Sequence, residues 1–209
     1  LKKFYGAEPK ILFRRLINRQ NRITVGYNEI KCVFKKDINP FIITKKGINT
    51  KFVLSVVASK LISYLYVNTS SIATKDDFRQ TTLSELRNIP IILPSIKKQV
   101  MLVAYADDML RLSENYQNLK LKFHKFMTQT LNIPSLGKNL EHWQDLTFGV
   151  FIVQLIKVIK KYERPKLSKF EELEWMDVFE TKKAEIMTLK AQITKTDAQI
   201  DAMVYELYG

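Results

Sequence analysis

The pattern of apolar and polar positions divides the chain into short apolar runs in the front half and long helical repeats behind them. In the back half, apolar residues recur at alternating intervals of three and four, which is the seam of an amphipathic helix. One seam predicts a helix over about 96–131 and contains Leu102, Tyr105, Met109, Leu112, Tyr116, Leu119, Phe123 and Phe126. The other predicts a helix over about 171–207 and contains Ile186, Leu189, Ile193, Thr196, Ile200, Met203 and Leu207.

Two matched seams in one chain are expected to pack on each other. The connecting segment 132–170 is long enough to return and carries its own apolar helical pattern around LTFGVFIVQLIKVIKKY, so we expect an antiparallel pair. The same pattern would also fit a generic helical hairpin or a dimerisation coiled coil.

The front half reads as strands followed by a helix. Runs rich in Val, Ile, Phe or Thr predict strands at 10–16, 22–27, 31–36 and 41–45, with DINP as a turn and a last short strand, RNIPIIL, at 87–93. An apolar helix is predicted from Asn49 to about Asn68, and a polar loop over 69–82. The fold class is therefore α+β: a mixed α/β domain followed by the long antiparallel helical pair.

The positive charge is concentrated in the strand-rich region. The net charge of the 209 residues is +13. Residues 1–60 hold 14 Lys and Arg against three acidic residues, a net +11, whereas the remaining residues hold 20 against 18, a net +2. Clustered Lys and Arg attract polyanions, so the front half is expected to face nucleic acid or an acidic membrane.

Other bulk features narrow the class of protein. A single cysteine, Cys32, excludes an internal disulfide framework and favours a reducing, cytoplasmic compartment. The longest apolar run, 146–159, is too short and too polar to span a bilayer, so no transmembrane helix is expected. Because the sequence starts at Leu1 without methionine, we expect it to be a fragment of a longer polypeptide.

The stretch LRNIPIILPSIKKQ combines an apolar IPI run, an LP stop and a Gln-bearing helix start. This arrangement resembles the junction that ends a target recognition domain in restriction-modification specificity proteins. SKLISYLY at 59–66 fits the same family. EELEWMDVF at 171–179 and IDAMVYELYG at 200–209 resemble the C-terminal tail of Type IIG enzymes, which fuse nuclease, adenine methyltransferase and target recognition in one chain.

The resemblance implies a recognition domain at 1–95 and a helical spacer region at 96–209. The chain would recognise a specific double-stranded DNA sequence and position the target adenine for a catalytic domain outside this fragment, in cis or in trans. No cofactor is expected in the fragment. The parent would be an S-adenosylmethionine-dependent DNA adenine methyltransferase, with Mg if it also carries a nuclease.

Candidate DNA contacts lie in connections and at strand ends, where a sheet can present side chains to a groove. Arg, Asn and Gln can make bidentate contacts to base edges, and Lys and Arg can neutralise phosphates. The predicted base-reading residues are Asn18, Arg19, Gln20, Asn21 and Arg22, with Lys75, Arg79 and Gln80 as a second surface. The predicted phosphate contacts are Arg14, Arg15, Lys35, Lys36, Lys45, Lys46 and Lys60.

Catalytic and metal-binding residues are not predicted. INPF at 38–41 lacks the second proline of the methyltransferase motif and is interpreted as a turn. Asp177 with ETK at 180–182 has the residue types of a nuclease site but falls in a predicted helix. His124, His142 and Cys32 have no partners at metal-binding spacing.

Two other classes of protein remain open. The helical pair could be the functional surface of an interaction subunit that oligomerises with a methyltransferase partner. An RNA-binding protein is the third class, although the chain lacks the aromatic stacking motif of sheet-based RNA modules.

Overall fold

The computed structural model describes residues 2–71 and 79–209. The strands are β1 (Lys10–Arg14), β2 (Val25–Asn28) and β3 (Ile38–Phe41). The α-helices are α1 (Lys2–Tyr5), α2 (Thr50–Ala58), α3 (Lys60–Thr69), α4 (Leu83–Arg87), α5 (Ile96–Thr130), α6 (Phe148–Lys161) and α7 (Lys169–Tyr208). Two 3₁₀ turns, Lys138–Leu140 and Trp143–Asp145, precede α6. The predicted α+β class is confirmed.

The three strands form an antiparallel sheet with β1 in the centre, in the order β2-β1-β3. Phe13 of β1 lies opposite Val25 of β2 and Asn39 of β3. The INPF segment, interpreted from sequence as a turn, is strand β3. Its Pro40 is tolerated because β3 is an edge strand, where one side of the backbone needs no ladder partner.

Three other strand predictions are wrong within the described residues. The segment 31–36 forms no strand, and its Val33 is 87% exposed. Only Phe41 of the predicted strand 41–45 belongs to a strand, and RNIPIIL at 87–93 contributes Arg87 to the end of α4 and no strand residue. Apolar β-branched residues favour a strand only where a neighbouring strand offers backbone partners, and apart from Phe41 these segments pair with none.

The single helix predicted from Asn49 is broken at Ser59 into α2 and α3. Ser59 has extended backbone angles, and its hydroxyl donates to Val56 O at 2.7 Å while accepting from Ile62 N at 3.3 Å. It therefore ends one helix and caps the next. No single helix in the described part of the chain is long and apolar enough to cross a membrane, although α2 and α3, bent by 65°, would meet that criterion together.

The first of two compact units contains the residues up to Leu110 together with Lys195–Gly209. Its core combines Phe13 of β1 and Phe52 of α2 with Leu102 of α5 and Val204 of α7, all buried. Lys98 Nζ lies 2.7 Å from Glu206 Oε1, so the start of α5 lies beside the end of α7 in this unit. Both ends of the helical region contribute to this core. The predicted domain boundary after residue 95 stays a prediction.

The second unit, Arg111–Thr194, is built around aromatic side chains. Phe123 contacts Trp143 at 4.4 Å between ring centroids, and Phe151 contacts Phe179 at 4.5 Å. In both units the predicted seam residues of α5 and α7 are buried or half-buried, except for Phe126, which is 42% exposed. The buried position next to it is occupied by Met127.

Candidate functional site

The loop over residues 18–22 is shaped by Asn18. Its Oδ1 accepts hydrogen bonds from Gln20 N at 3.0 Å and Arg22 N at 2.9 Å. Asn21 has a left-handed backbone with φ of 56°, which Asn adopts more readily than most residues. The Asn18 side chain therefore holds the loop, while the side chains of Arg19, Gln20 and Asn21 are exposed.

The second predicted surface lies directly beside this loop. Ile17 N donates to Arg79 O at 3.0 Å, and Thr81 N donates to Arg15 O at 2.7 Å. Arg15 Nε donates to Gln80 Oε1 at 3.0 Å, and the Arg79 guanidinium donates to Asn21 Oδ1. Two segments about sixty residues apart are thus joined by backbone and side-chain hydrogen bonds. Lys75 lies outside the described residues.

These two segments and α3 line a cavity of about 620 Å³ that is open to solvent. The residues lining it that sequence reasoning predicted are Gln20, Asn21, Arg22, Arg79 and Lys60. The residues that it missed are Ser63, Tyr64, Val67 and Asn68 of α3. Tyr64 is 65% exposed, which is unusual for a large aromatic side chain in a helix of mainly apolar residues.

The sequence does contain a pattern that places these α3 residues on an exposed face. Lys60, Tyr64 and Asn68 are spaced four residues apart, which places them on one face of a helix. The apolar residues of the same segment, including Ile62 and Tyr66, are buried on the other side. The segment is therefore amphipathic, although its high apolar content suggested a fully buried helix.

Arg22 is held more tightly than the other predicted base-reading residues. Its guanidinium forms a bidentate pair with Asp197, with both N–O distances 2.6 Å, and Nε and Nη2 donate to Ala58 O at 3.1 and 2.8 Å. Burial works to lower the pKa of Arg22, but the hydrogen bond and charge of Asp197, aided by Asp201, outweigh it and raise the pKa. With Nε and both Nη atoms engaged, little donor capacity is left for a DNA base.

Lys60 occupies a similar position at the start of α3. Its backbone N–H donates to Asp201 Oδ1 at 2.8 Å, and its Nζ lies 3.0 Å from Asp201 Oδ2. Arg22 and Lys60 therefore line the cavity while linking it to two carboxylates of α7. Those two carboxylates were not predicted from the sequence.

Two family models together match most of the chain. A family described as a domain of unknown function, DUF8810, matches residues 95–204, which is more than half of the chain. The chain belongs to the DUF8810 family. In front of the DUF8810 region, residues 1–91 match the TaqI-like C-terminal specificity domain.

A relative of the DUF8810 chain comes from Methanocaldococcus jannaschii and is described as a type II restriction enzyme and methyltransferase. It is 49% identical over 94 residues, which is 44% of this chain and 8% of that protein. The chain thus spans less than a tenth of the relative's length. No solved structure matches the chain.

These findings confirm the resemblance to a target recognition domain of a restriction-modification enzyme. They support a DNA-recognition role for the DUF8810 chain. The loop 18–22, Arg79 and the cavity-lining residues of α3 all lie in the segment that matches the specificity domain.

The predicted phosphate contacts of the DUF8810 chain are divided between three places. Arg14, Arg15, Lys35 and Lys36 lie at the end of the sheet where β1 ends and β3 begins, because Arg14 is opposite Ile38 and Arg15 N donates to Asp37 O. The 18–22 loop follows β1 at the same end. Lys45 and Lys46 follow β3 at the opposite end, and Lys60 lies in the cavity wall. All seven are exposed, and their roles stay predictions.

Within the described residues, no group of three or more His, Cys, Asp or Glu side chains is placed to hold a metal ion. Cys32 Sγ instead donates to Asn28 Oδ1 at 3.2 Å. His124 and His142 contribute to no such group.

Proposed function

We propose that the DUF8810 chain reads a specific sequence in double-stranded DNA for a restriction-modification adenine methyltransferase. The observation that supports this most strongly is the convergence of the loop 18–22 with Arg79 at one cavity. Hydrogen bonds bring together there residues of two separate segments that the sequence predicts to read bases. The match of residues 1–91 to a specificity domain supports the same function.

The chemistry of the cavity suits base edges in the major groove. The Gln20 amide carries both a donor and an acceptor, the Asn21 amide carries donors, and the Arg79 guanidinium has donors besides the Nη1 that binds Asn21 Oδ1, so together they can distinguish base pairs. Arg14, Arg15, Lys35 and Lys36, at the same end of the sheet, would neutralise phosphates and set the register. Arg22 would act as a positioning residue, because Asp197 and Ala58 occupy its donors.

The target adenine would be presented to a catalytic domain in cis or in trans. That domain would use S-adenosylmethionine as methyl donor, and Mg if the parent also cleaves DNA. This division of labour is consistent with the relative from Methanocaldococcus jannaschii, whose description combines a restriction enzyme and a methyltransferase and which is far longer than this chain.

Selection from a random pool of duplexes tests this function. The 209-residue chain is expected to enrich one sequence, and Gln20→Ala or Arg79→Ala to reduce discrimination at one position by about 10- to 100-fold. The matched control is Arg87→Ala, an exposed arginine on α4 that does not line the cavity. It is expected to leave the selected sequence unchanged.

The proposal fails if the wild-type chain enriches no duplex sequence, or if both cavity variants select the same sequence with the same discrimination as wild type. Preferential binding of RNA over duplex DNA in a competition assay would also overturn it.

A further inference from the structure

We propose that the second compact unit carries its own DNA phosphate site, formed by Lys138, Lys157 and Lys161. The proposal rests on the DNA-binding function proposed above but concerns residues that the sequence did not assign to DNA. The three lysines line a cavity of about 220 Å³ between the 3₁₀ turn Lys138–Leu140 and the C-terminal half of α6.

The cavity is built from two separate segments. Gly137, with φ of 74°, turns the chain into the 3₁₀ turn that carries Lys138. This left-handed backbone favours glycine. Lys157 and Lys161 are one helical turn apart on α6 and share a face. The three lysines therefore line one opening, Lys138 from the 3₁₀ turn and the other two from α6.

Neutral hydrogen-bonding groups complete the wall. Ser135 Oγ lies 3.0 Å from Tyr162 Oη, and Asn139 Nδ2 donates to Gln154 Oε1 at 3.0 Å. No lining residue is acidic. A cavity that combines hydroxyl, amide and ammonium groups without a carboxylate suits a phosphate oxygen.

Three other lysines of the same unit are paired with acidic side chains. Lys169 lies 2.9 Å from Glu172, Lys182 lies 2.7 Å from Glu185, and Lys190 lies 3.5 Å from Asp145. Among the described residues, no carboxylate lies within 4.0 Å of the ammonium groups of Lys138, Lys157 or Lys161. The charge at the cavity is therefore not neutralised by a direct ion pair.

Helix stability alone does not account for this cluster. Basic residues in the last turn of α6 interact favourably with the helix dipole, which explains Lys160 and Lys161. It does not explain Lys138, which lies on another element, and like charges at positions 157 and 161 repel each other. The hydrogen bond with Ser135 lowers the pKa of Tyr162 against the opposing effect of burial, and the charge of Lys161, whose Nζ lies 5.1 Å from the Tyr162 ring centroid, lowers it further.

The test is the salt dependence of binding to the duplex sequence that the wild-type chain selects, in a DNA long enough to extend beyond that sequence. The variant Lys138→Gln/Lys157→Gln/Lys161→Gln is compared with wild type. Each phosphate contact contributes about 0.9 to the slope of log K against log salt, so losing two or three contacts should reduce the slope by about 2 to 3. The selected sequence should not change.

The matched control removes the same charge from the paired lysines, as Lys169→Gln/Lys182→Gln/Lys190→Gln. Its slope should stay close to that of wild type, and circular dichroism should show both variants folded. Equal slopes for the cavity variant and wild type, or an equal decrease in cavity and control variants, would overturn the proposal while leaving the recognition function in place. Failure of the wild-type chain to bind any duplex would overturn both.

Discussion

Arg22, which the sequence predicts to read a DNA base, is bound in the folded chain by Asp197 and the Ala58 carbonyl. Its side chain is 22% exposed and that of Asp197 is 27% exposed, so their ion pair is only partly screened by water. The pair connects the end of the loop 18–22 to α7. Arg19, three residues earlier, is exposed and remains a candidate for direct DNA contact.

Arg22→Ala is expected to lower the free energy of unfolding by about 2 kcal/mol, because Asp197 and the Ala58 carbonyl lose their partner. Urea denaturation would measure this. Arg19→Ala should change stability by no more than about 0.5 kcal/mol, since it is an exposed side chain. Similar stability losses in the two variants would contradict the separate roles.

Glu85 anchors the residues on either side of the segment 72–78. It accepts hydrogen bonds from Tyr66 Oη at 3.0 Å, Ser70 Oγ at 2.9 Å, Ser71 N at 3.1 Å and Thr82 Oγ1 at 2.7 Å. Burial works to raise the pKa of Glu85, but these hydrogen bonds outweigh it and lower the pKa below its ordinary value of 4.5. Its carboxylate is thus stabilised in the folded state.

Because the folded pKa of Glu85 is below the unfolded value, its contribution to stability is present above about pH 4.5 and is lost as pH falls through the folded pKa. The wild-type chain should therefore lose more stability between pH 6 and pH 3 than Glu85→Gln does. Thermal unfolding across this range would measure the difference. Identical pH profiles for the two proteins would exclude this role of Glu85.

Helices α2 and α3 depend on one serine for the change of direction between them. Ser59 is buried, and its hydroxyl serves the end of α2 and the start of α3. Since α3 carries Tyr64 and Asn68, the same bend places part of the cavity wall. Ser59 is therefore expected to affect both stability and DNA binding.

Ser59→Ala should lower the free energy of unfolding by about 1 kcal/mol, the usual cost of losing a helix cap. Chemical denaturation gives that value, and Thr69→Ala, at the exposed end of α3, is the comparison. An equal or smaller effect of the Ser59 substitution would show that the bend does not depend on its hydroxyl.

The first compact unit is assembled from distant parts of the chain. Leu102 of α5 and Ile200 and Val204 of α7 are buried in the core that also contains Phe13 and Phe52. Removing such buried side chains leaves cavities, and each cavity lowers the free energy of unfolding by several kcal/mol. The segment that matches a specificity domain therefore needs both ends of the helical region to complete its packing.

A chain of residues 1–95 alone is expected to lack cooperative unfolding, whereas the 209-residue chain should unfold cooperatively. Circular dichroism with thermal denaturation would compare them. A sharp transition for residues 1–95 at a temperature close to that of the whole chain would show that the helix ends are dispensable.

The periodic parts of the chain were predictable without the structure. The two seams placed α5 and α7 within two residues of their observed ends, because a long apolar repeat specifies a helix from local geometry. The composition and junction motifs correctly indicated a recognition domain. The loop at 18–22 was also found, from its polar residues between apolar runs.

The conformation of the short apolar segments and the contacts between distant residues could not be predicted without the tertiary structure. Strand propensity could not show that the segments 31–36 and 87–93 have no neighbouring strand to pair with, or that Pro40 is acceptable at a sheet edge. Asp197 and Asp201 approach Arg22 and Lys60 only after the chain has folded back over more than a hundred residues. Local periodicity is a property of neighbouring residues, but which side chains share a cavity depends on packing between residues far apart in sequence.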